Sequence, residues 1–467
     1  MVYRNEAEFI NGNILAIEGE NITIKNVRTF QDEVIDNIVD TIVVGDSAYL
    51  KKICYWAAYS CGIQLGVIPA SIQELYSAMG RGEVKGFCVP AINIRTLTFD
   101  SARAVFRAAK KIEAGAFIFE IAKSEIGYTN QRPQEYTSII ILAAMRENYR
   151  GPVFIQGDHF QVNAKNYRND KEKETSQLKS VIKEAIEANF YNIDIDSSTL
   201  VDLSKPTLDE QQRLNYEVCS FFTDYIRRLQ PKDIEISIGG EIGEVGGKNS
   251  TAKELHAFMR GYRDNIRALK GISKISIQTG TSHGGVVLPD GSMAKVNIDF
   301  ATLNDLSEIS RKDYSMAGAV QHGASTLPNE AFHHFREAGC AEVHLATQFQ
   351  NMTYDYLPLR LKEKIYAWLH QECSGEKKEG WTNDQFIYKV RKKALGPFKK
   401  EIHSLATEAK NKISGVLEQE FSFLFEQLNI KDTKAVVEKY IKRVVIEKTK
   451  DDFIKEDRDL GVLEGAD

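Results

Sequence analysis

Gly318-Ala319-Val320-Gln321-His322-Gly323-Ala324-Ser325 is the stretch that decides the fold of this chain. A short apolar run stops on an imidazole and passes at once into small residues, and Pro328 just beyond predicts the start of a helix. A strand built this way presents a histidine at the rim of a sheet and leaves the following backbone N–H groups open to a ligand. The design recurs twice. Ile275–Gly284 ends Thr279-Gly280-Thr281-Ser282-His283-Gly284, and Val153–His159 ends Gln156-Gly157-Asp158-His159. Three strand-like runs that each end in histidine predict a metal site made by His159, His283 and His322.

Outward from these runs the chain alternates regularly from about residue 71. Strands are predicted at Phe87–Asn93, Ala116–Ala122, Val153–His159, Asn192–Ser197, Ile234–Ile242, Ile275–Thr279, Gly318–His322 and Glu342–Thr347. Amphipathic helices are predicted between them, from Phe99–Glu113 to Asn329–Ala338. Eight strands with intervening helices predict an α/β fold of the closed (β/α)8 TIM-barrel type. An open doubly wound sheet is the alternative, but no Gly-x-Gly-x-x-Gly follows the first strand, which ends Pro90-Ala91-Ile92-Asn93. Polar residues gather at the predicted C-terminal strand ends: Asn93, Glu120, Asp158, His159, Asp194, Asp196, Glu241, His283, His322, His344 and Thr347. That rim is where a barrel builds its active site.

The barrel is expected over residues 71–373, between a mainly helical N-terminal extension (1–70) and a helical C-terminal extension (374–467). A hairpin is expected at Ile14–Asn26, around Glu18-Gly19-Glu20-Asn21, and helix over Asp32–Val67 interrupted at Gly45-Asp46. Both extensions are amphipathic, which predicts contacts in a homo-oligomer. Lysine-rich stretches such as Lys389–Lys400 read as solvated faces. A formal net charge of −5, from 60 basic and 65 acidic side chains, points to neither nucleic acid nor a membrane surface. No apolar run is long enough to span a bilayer, and Met1–Glu6 has no secretory apolar segment. The six cysteines form no Cys-x-x-Cys pair, so buried reduced thiols in a cytoplasmic protein are expected.

Taken in order, these motifs resemble those of the class II, metal-dependent fructose-bisphosphate and ketose-bisphosphate aldolases, over about residues 75–350. Val89-Pro90-Ala91-Ile92-Asn93 is similar to the family's opening strand, and Asp158-His159 to its Asp-His pair. Asp194-Ile195-Asp196-Ser197-Ser198 and Glu241-Ile242-Gly243-Glu244-Val245-Gly246-Gly247 resemble its fourth-strand and Glu-x-Gly-x-x-Gly-Gly motifs. Gly280-Thr281-Ser282-His283-Gly284, His322-Gly323-Ala324-Ser325 and Thr347 follow in the family's order. The resemblance implies His159, His283 and His322 as ligands of a divalent metal, with Glu241 at an alternate or second position. It implies Asp158 as the proton-transfer residue, and Gly284, Ser325 and Thr347 as the holders of a phosphate and a monovalent cation. Asn93 belongs to the same substrate-facing rim.

The expected chemistry is aldol cleavage or condensation of a phosphorylated ketose through a metal-stabilised enediolate. Neutral imidazoles leave the metal its full charge for that task. Three histidines suit zinc, while cobalt, iron and manganese also bind such a set. Asp158 and His159 are neighbours, and both can face the site only if the strand is ending there. The sequence departs from the family at three places, one of them Thr326, where glycine is usual after the strand-seven serine. Lys248-Asn249-Ser250 stand where two loop acids are usual, which leaves Glu244 as the candidate replacement. The eighth strand reads His344-Leu345-Ala346-Thr347 in place of Asn-x-Asp-Thr, which makes His344 a candidate acid/base. These departures keep two alternatives open: other enolate chemistry, such as epimerisation or dehydration, and a non-catalytic metal-binding subunit.

Overall fold

The computed structural model describes the chain apart from residues 10–13, 20, 244–247, 281–286, 289–296, 456–457, 462 and 464–467, and the side chain at 326. Among the described residues, eight parallel strands close into a ring. They are β1 (Val89–Asn93), β2 (Ile118–Ala122), β3 (Gly151–Gln161), β4 (Asn192–Asp196), β5 (Ser237–Glu241), β6 (Lys274–Ile277), β7 (Ala319–Gln321) and β8 (Glu342–Leu345). Each pairs with the next, and β8 pairs with β1 at Glu342↔Val89 through Leu345↔Ile92. Nearly every strand residue is buried, the pattern of a parallel sheet covered on both faces.

The sequence dictates where the surrounding helices begin. Thr207 and Glu210 form a capping box ahead of the helix Leu208–Leu229, and Thr251 and Glu254 form another ahead of Ala252–Asn265. In each, the threonine hydroxyl accepts from the N–H three residues on, and the glutamate accepts from the threonine N–H.

β3 does not end at His159, as the sequence reading required for Asp158 and His159 to share the site. It continues to Gln161 and bulges. Gly157 pairs with Ile193 and Phe160 with Ile195, so β3 holds one residue more than β4 across this interval. His159 takes up the extra length at φ 39°, a left-handed conformation unusual for a non-glycine residue. The bulge, not a strand end, puts both side chains on the inner face. Gly157 makes it possible, because a Cβ there would lie 2.5 Å from the buried Phe160 ring.

The segment ahead of residue 71 contains the expected hairpin, Leu15–Glu18 with Asn21–Ile24, and helices Ile35–Val44 and Ala48–Gln64 separated at Gly45. It also supplies a short parallel strand, Val67–Ala70, on the N-terminal half of β3. Asn192 ties this strand to β4, donating to the Ala70 carbonyl (3.3 Å) and accepting from Ile72 N–H (2.9 Å). The C-terminal helix Thr407–Gln427 lies along Thr98–Lys111. Arg107 and Lys111 both reach Glu418 (2.5 and 2.6 Å), and the Phe425 ring stacks on Phe117. The apolar face of this C-terminal helix is thus docked on the chain's own barrel. All six cysteines are buried and unbridged. Among the described residues, no helix is long and apolar enough to cross a membrane.

Candidate metal centre and active-site cavity

Three imidazoles stand side by side at the C-terminal end of the barrel. The rings of His159 (β3) and His322 (just after β7) are 4.2 Å apart between centroids, and those of His322 and His344 (β8) 4.0 Å. His159, Glu241 and His322 form a rim group whose potential ligand atoms lie within 4.8 Å of one another. Glu241 Oε2 is 3.5 Å from His159 Nδ1, and Asp196 Oδ2 is 3.1 Å from the same nitrogen. Asp196 is itself held by the Gln161 amide (2.5 Å) and by the Ser198 N–H and hydroxyl (3.0 and 2.7 Å). This carboxylate fixes the ring orientation of His159 from behind, as outer partners of ligating histidines do.

Inward of the rim lies a second, denser group. Asp158 Oδ1 is 3.4 Å from His322 Nε2, 3.2 Å from His344 Nδ1 and 3.9 Å from His159 Nε2. Glu120 Oε2 is 2.9 Å from His344 Nδ1, and Glu342 Oε1 is 2.7 Å from its Nε2. The floor is Lys274, 1 % exposed, which donates to Asp194 (2.9 Å), Gln156 (2.8 Å) and Glu342. Tyr76 donates its hydroxyl to the other oxygen of Glu342.

Burial alone would raise every carboxyl in this group, and their neighbours decide which stay ionised. For Asp158 burial is outweighed by the imidazoles of His159, His344 and His322, which hold it well below the usual carboxylate range. Glu342 is also burdened by burial but held down by Lys274 and His344. Glu241 and Glu120 are each pushed up to about 8, by burial first and then by the neighbouring charges of Asp196 and Asp158 respectively. Burial, then the neighbouring imidazoles of His344 and His159, push His322 well below the ordinary histidine value. His322 is thus held neutral, the form that binds a metal, whereas burial of His159 and His344 is overcome by the carboxylates around them, which push both rings well above the ordinary value. Asp158 Oδ1, Glu120 Oε1, Asp194 Oδ1 and both ring nitrogens of His344 are buried with no hydrogen-bond partner among the described residues. Two imidazoles and a carboxylate at the rim, backed by such atoms, are a donor set that fits a divalent ion.

Above the group opens a cavity of about 360 Å³. One wall carries Gly323, Ser325, Ala346 and Thr347, from the ends of β7 and β8. Ser325 Oγ accepts from the Ala346 N–H (2.8 Å), which locks the two strand ends together. The lining also includes Arg95, Lys378, Trp381, Gln385, Tyr388, Lys389 and Lys392. Lys389 and Lys392 therefore do not belong to a purely solvated face, as their composition suggested. Gln385, Tyr388, Lys389 and Lys392 have the i, i+3, i+4, i+7 spacing of one helix face, and that spacing was the available signal. Asn93 is buried and donates to Glu125 (2.7 Å), and Glu125 also accepts from Arg95 Nε (2.6 Å) at the cavity wall. His283, Gly284 and Glu244 lie outside the described residues.

No curated protein matches the chain when sequences are compared. Among solved structures, the fructuronate-tagaturonate epimerase from Cohnella laeviribosi is similar at 10% identity. The match covers 88% of this chain and 89% of that one, with a TM-score of 0.59. The fructose-bisphosphate aldolase of Campylobacter jejuni is similar at 17% identity, over 79% of this chain and 96% of that one, with a TM-score of 0.44. At 10% identity the likeness to the epimerase is one of fold. The family model for class-II fructose-bisphosphate aldolase matches residues 74–424, and by that match the chain belongs to the class II fructose-bisphosphate aldolase family.

Proposed function

We propose that this protein is a metal-dependent lyase of the aldolase type, which cleaves or forms a carbon–carbon bond in a phosphorylated ketose. One observation carries the reading: His159, Glu241 and His322 converge at the barrel rim, beside Asp158 and beneath a cavity lined in part by lysines. A divalent ion held there, with zinc the first choice, would polarise a ketone and its neighbouring hydroxyl. His283 completes that ligand set by the family resemblance. The chain's own residues do the rest. Asp158 takes the proton from the substrate hydroxyl as the bond β to the ketone breaks, and the electron pair stays on the ketone fragment. Asp158 is suited to accept that proton because the imidazoles around it keep it ionised. Ser325 and Thr347 face the substrate from the β7–β8 side, where a phosphate and a monovalent cation would sit. Lys389 and Lys392 add positive charge to the cavity lining, which favours an anionic substrate.

The second reading is epimerisation through the same enolate chemistry. It is favoured by His344, a second proton-carrying group 3.2 Å from Asp158, and by Ala346, which offers no polar group where the family has an aspartate. The deciding experiment incubates the zinc-loaded protein with a panel of ketose phosphates and ketouronates in D2O, with and without chelator. Release of a triose phosphate that stops with chelator supports the lyase. Deuterium uptake and inversion without cleavage supports the epimerase. Neither reaction with any member of the panel would overturn both readings in favour of a non-catalytic subunit.

A further inference from the structure

The barrel floor gathers carboxyl groups out of contact with water. Asp158, Glu120, Asp194 and Glu342 are all buried at 6 % exposure or less, and the ammonium among them is that of Lys274, bonded to Asp194 and Glu342. Clustered carboxylates out of contact with water need cations or protons. Lys274 serves the Asp194–Glu342 side. On the other side, Asp158 and Glu120 face one nitrogen of His344.

The spacing of these atoms is that of metal ligands. Asp158 Oδ1 to His344 Nδ1 is 3.2 Å, Asp158 Oδ1 to His322 Nε2 is 3.4 Å, and His344 Nδ1 to Glu120 Oε2 is 2.9 Å. Ligand atoms about 2.0–2.2 Å from an ion stand roughly 2.8–3.6 Å apart, between octahedral and tetrahedral geometry. Both ring nitrogens of His344 and Asp158 Oδ1 lack a hydrogen-bond partner among the described residues although the contacts are short, so their directions do not suit hydrogen bonds. Asp158, His322 and His344 also satisfy the spacing of a metal group as a set of three buried side chains, which shares only His322 with the rim group of His159, Glu241 and His322.

We infer that Asp158 and His344, with His322 on the boundary to the rim site, form a second, inner divalent-metal site that Glu120 supports from beside His344. Mixed imidazole and carboxylate donors suit zinc, cobalt or manganese. In the proposed function Asp158 carries the proton, so an ion at the inner site competes with that task. The rim ion supports turnover, and the inner ion withdraws Asp158 and His344 from it. The part of this inference that concerns activity rests on the proposed function. The existence of the site does not.

The test is therefore read first as stoichiometry. Chelator-stripped full-length protein is titrated with zinc by calorimetry, and bound metal is counted by mass spectrometry after desalting. Two binding steps are expected in the parent. His344→Asn, which removes the inner imidazole and keeps a polar side chain of similar reach, is expected to lose one step and keep the other. Glu120→Gln should weaken the same step by about tenfold or more. Cobalt loading gives a second readout, since two sets of visible absorption bands should reduce to one in His344→Asn. A melting curve checks that each variant is folded. Loss of zinc-dependent inhibition in Glu120→Gln, with first-step activation kept, would support the regulatory part. A parent that binds one zinc, or a His344→Asn variant that still binds two, would overturn the inner site. Two zincs with no turnover on any ketose phosphate would overturn the functional reading alone.

Discussion

Asp158→Asn, made in protein carrying one equivalent of zinc, separates proton transfer from metal binding. Asparagine has nearly the shape of aspartate. Its amide can occupy the same place, 3.2 Å from His344 Nδ1 and 3.4 Å from His322 Nε2, so the bulge and the rings around it should remain. The rim group of His159, Glu241 and His322 keeps all its ligand atoms. What disappears is a carboxylate that can accept the hydroxyl proton. General acid–base catalysis contributes about 10²–10⁴-fold, so turnover should fall by that factor, which is about 3–5 kcal/mol of barrier. KM should move much less. The assay is coupled detection of the released triose phosphate for kcat and KM, with metal content measured on the same preparation. Unchanged turnover would refute the assignment and move the proton to another group, His344 first. Loss of zinc in step with activity would refute it differently, by showing that Asp158 matters to the rim site as a ligand.

Four further outcomes are expected. His322→Ala should release most of the rim metal and the activity together, as elemental analysis and turnover would show, because it removes an imidazole shared by both groups. Gly157→Ala should destabilise by about 1–3 kcal/mol and weaken metal binding, since the new Cβ would press on the Phe160 ring and undo the bulge that turns His159 inward; thermal melting and zinc titration check both. Lys389→Gln with Lys392→Gln should raise KM for a ketose phosphate by about 10–100-fold, in line with lost charge-assisted hydrogen bonds, with kcat nearly kept; equal loss with an uncharged ketose would contradict it. Asp40 lies 2.9 Å from His403 and 2.8 Å from the Met1 amino group; burial raises its pKa, but His403 and the N-terminus bring it down to about 2. A lowered folded-state pKa stabilises above the unfolded value near 3.9 and stops doing so as pH falls through about 2. Asp40→Asn should thus cost about 1 kcal/mol at pH 7, discounted because its side chain is 35% exposed, and the gap in melting temperature should close between about pH 4 and 2.

The expected homo-oligomer stands as a proposal with a changed basis. Amphipathic extensions motivated it, but Arg107–Glu418 and Phe117–Phe425 show one such face docked on the chain's own barrel. Light scattering at micromolar concentration that returned a monomer would remove it.

By itself the sequence determined the eight strands, their order, and the histidines His159 and His322 at the rim. Each of these is local. Alternating runs, capping boxes and small residues after a histidine are set by neighbours a few positions apart, and a closed parallel barrel then fixes which strand ends share a face. Tertiary structure decided the rest. That β3 runs on through His159 depends on a bulge measured against β4, and so on a register between strands distant in sequence. Lys274 and Glu342 sit at the starts of β6 and β8, far from the rim motifs, and only barrel closure reveals that they meet inside. Lys389 and Lys392 look like solvated charge until a helix some forty residues past the last strand folds back over the cavity. Local patterns record propensity and facing, whereas the charge balance of a buried site depends on which distant side chains lose water together.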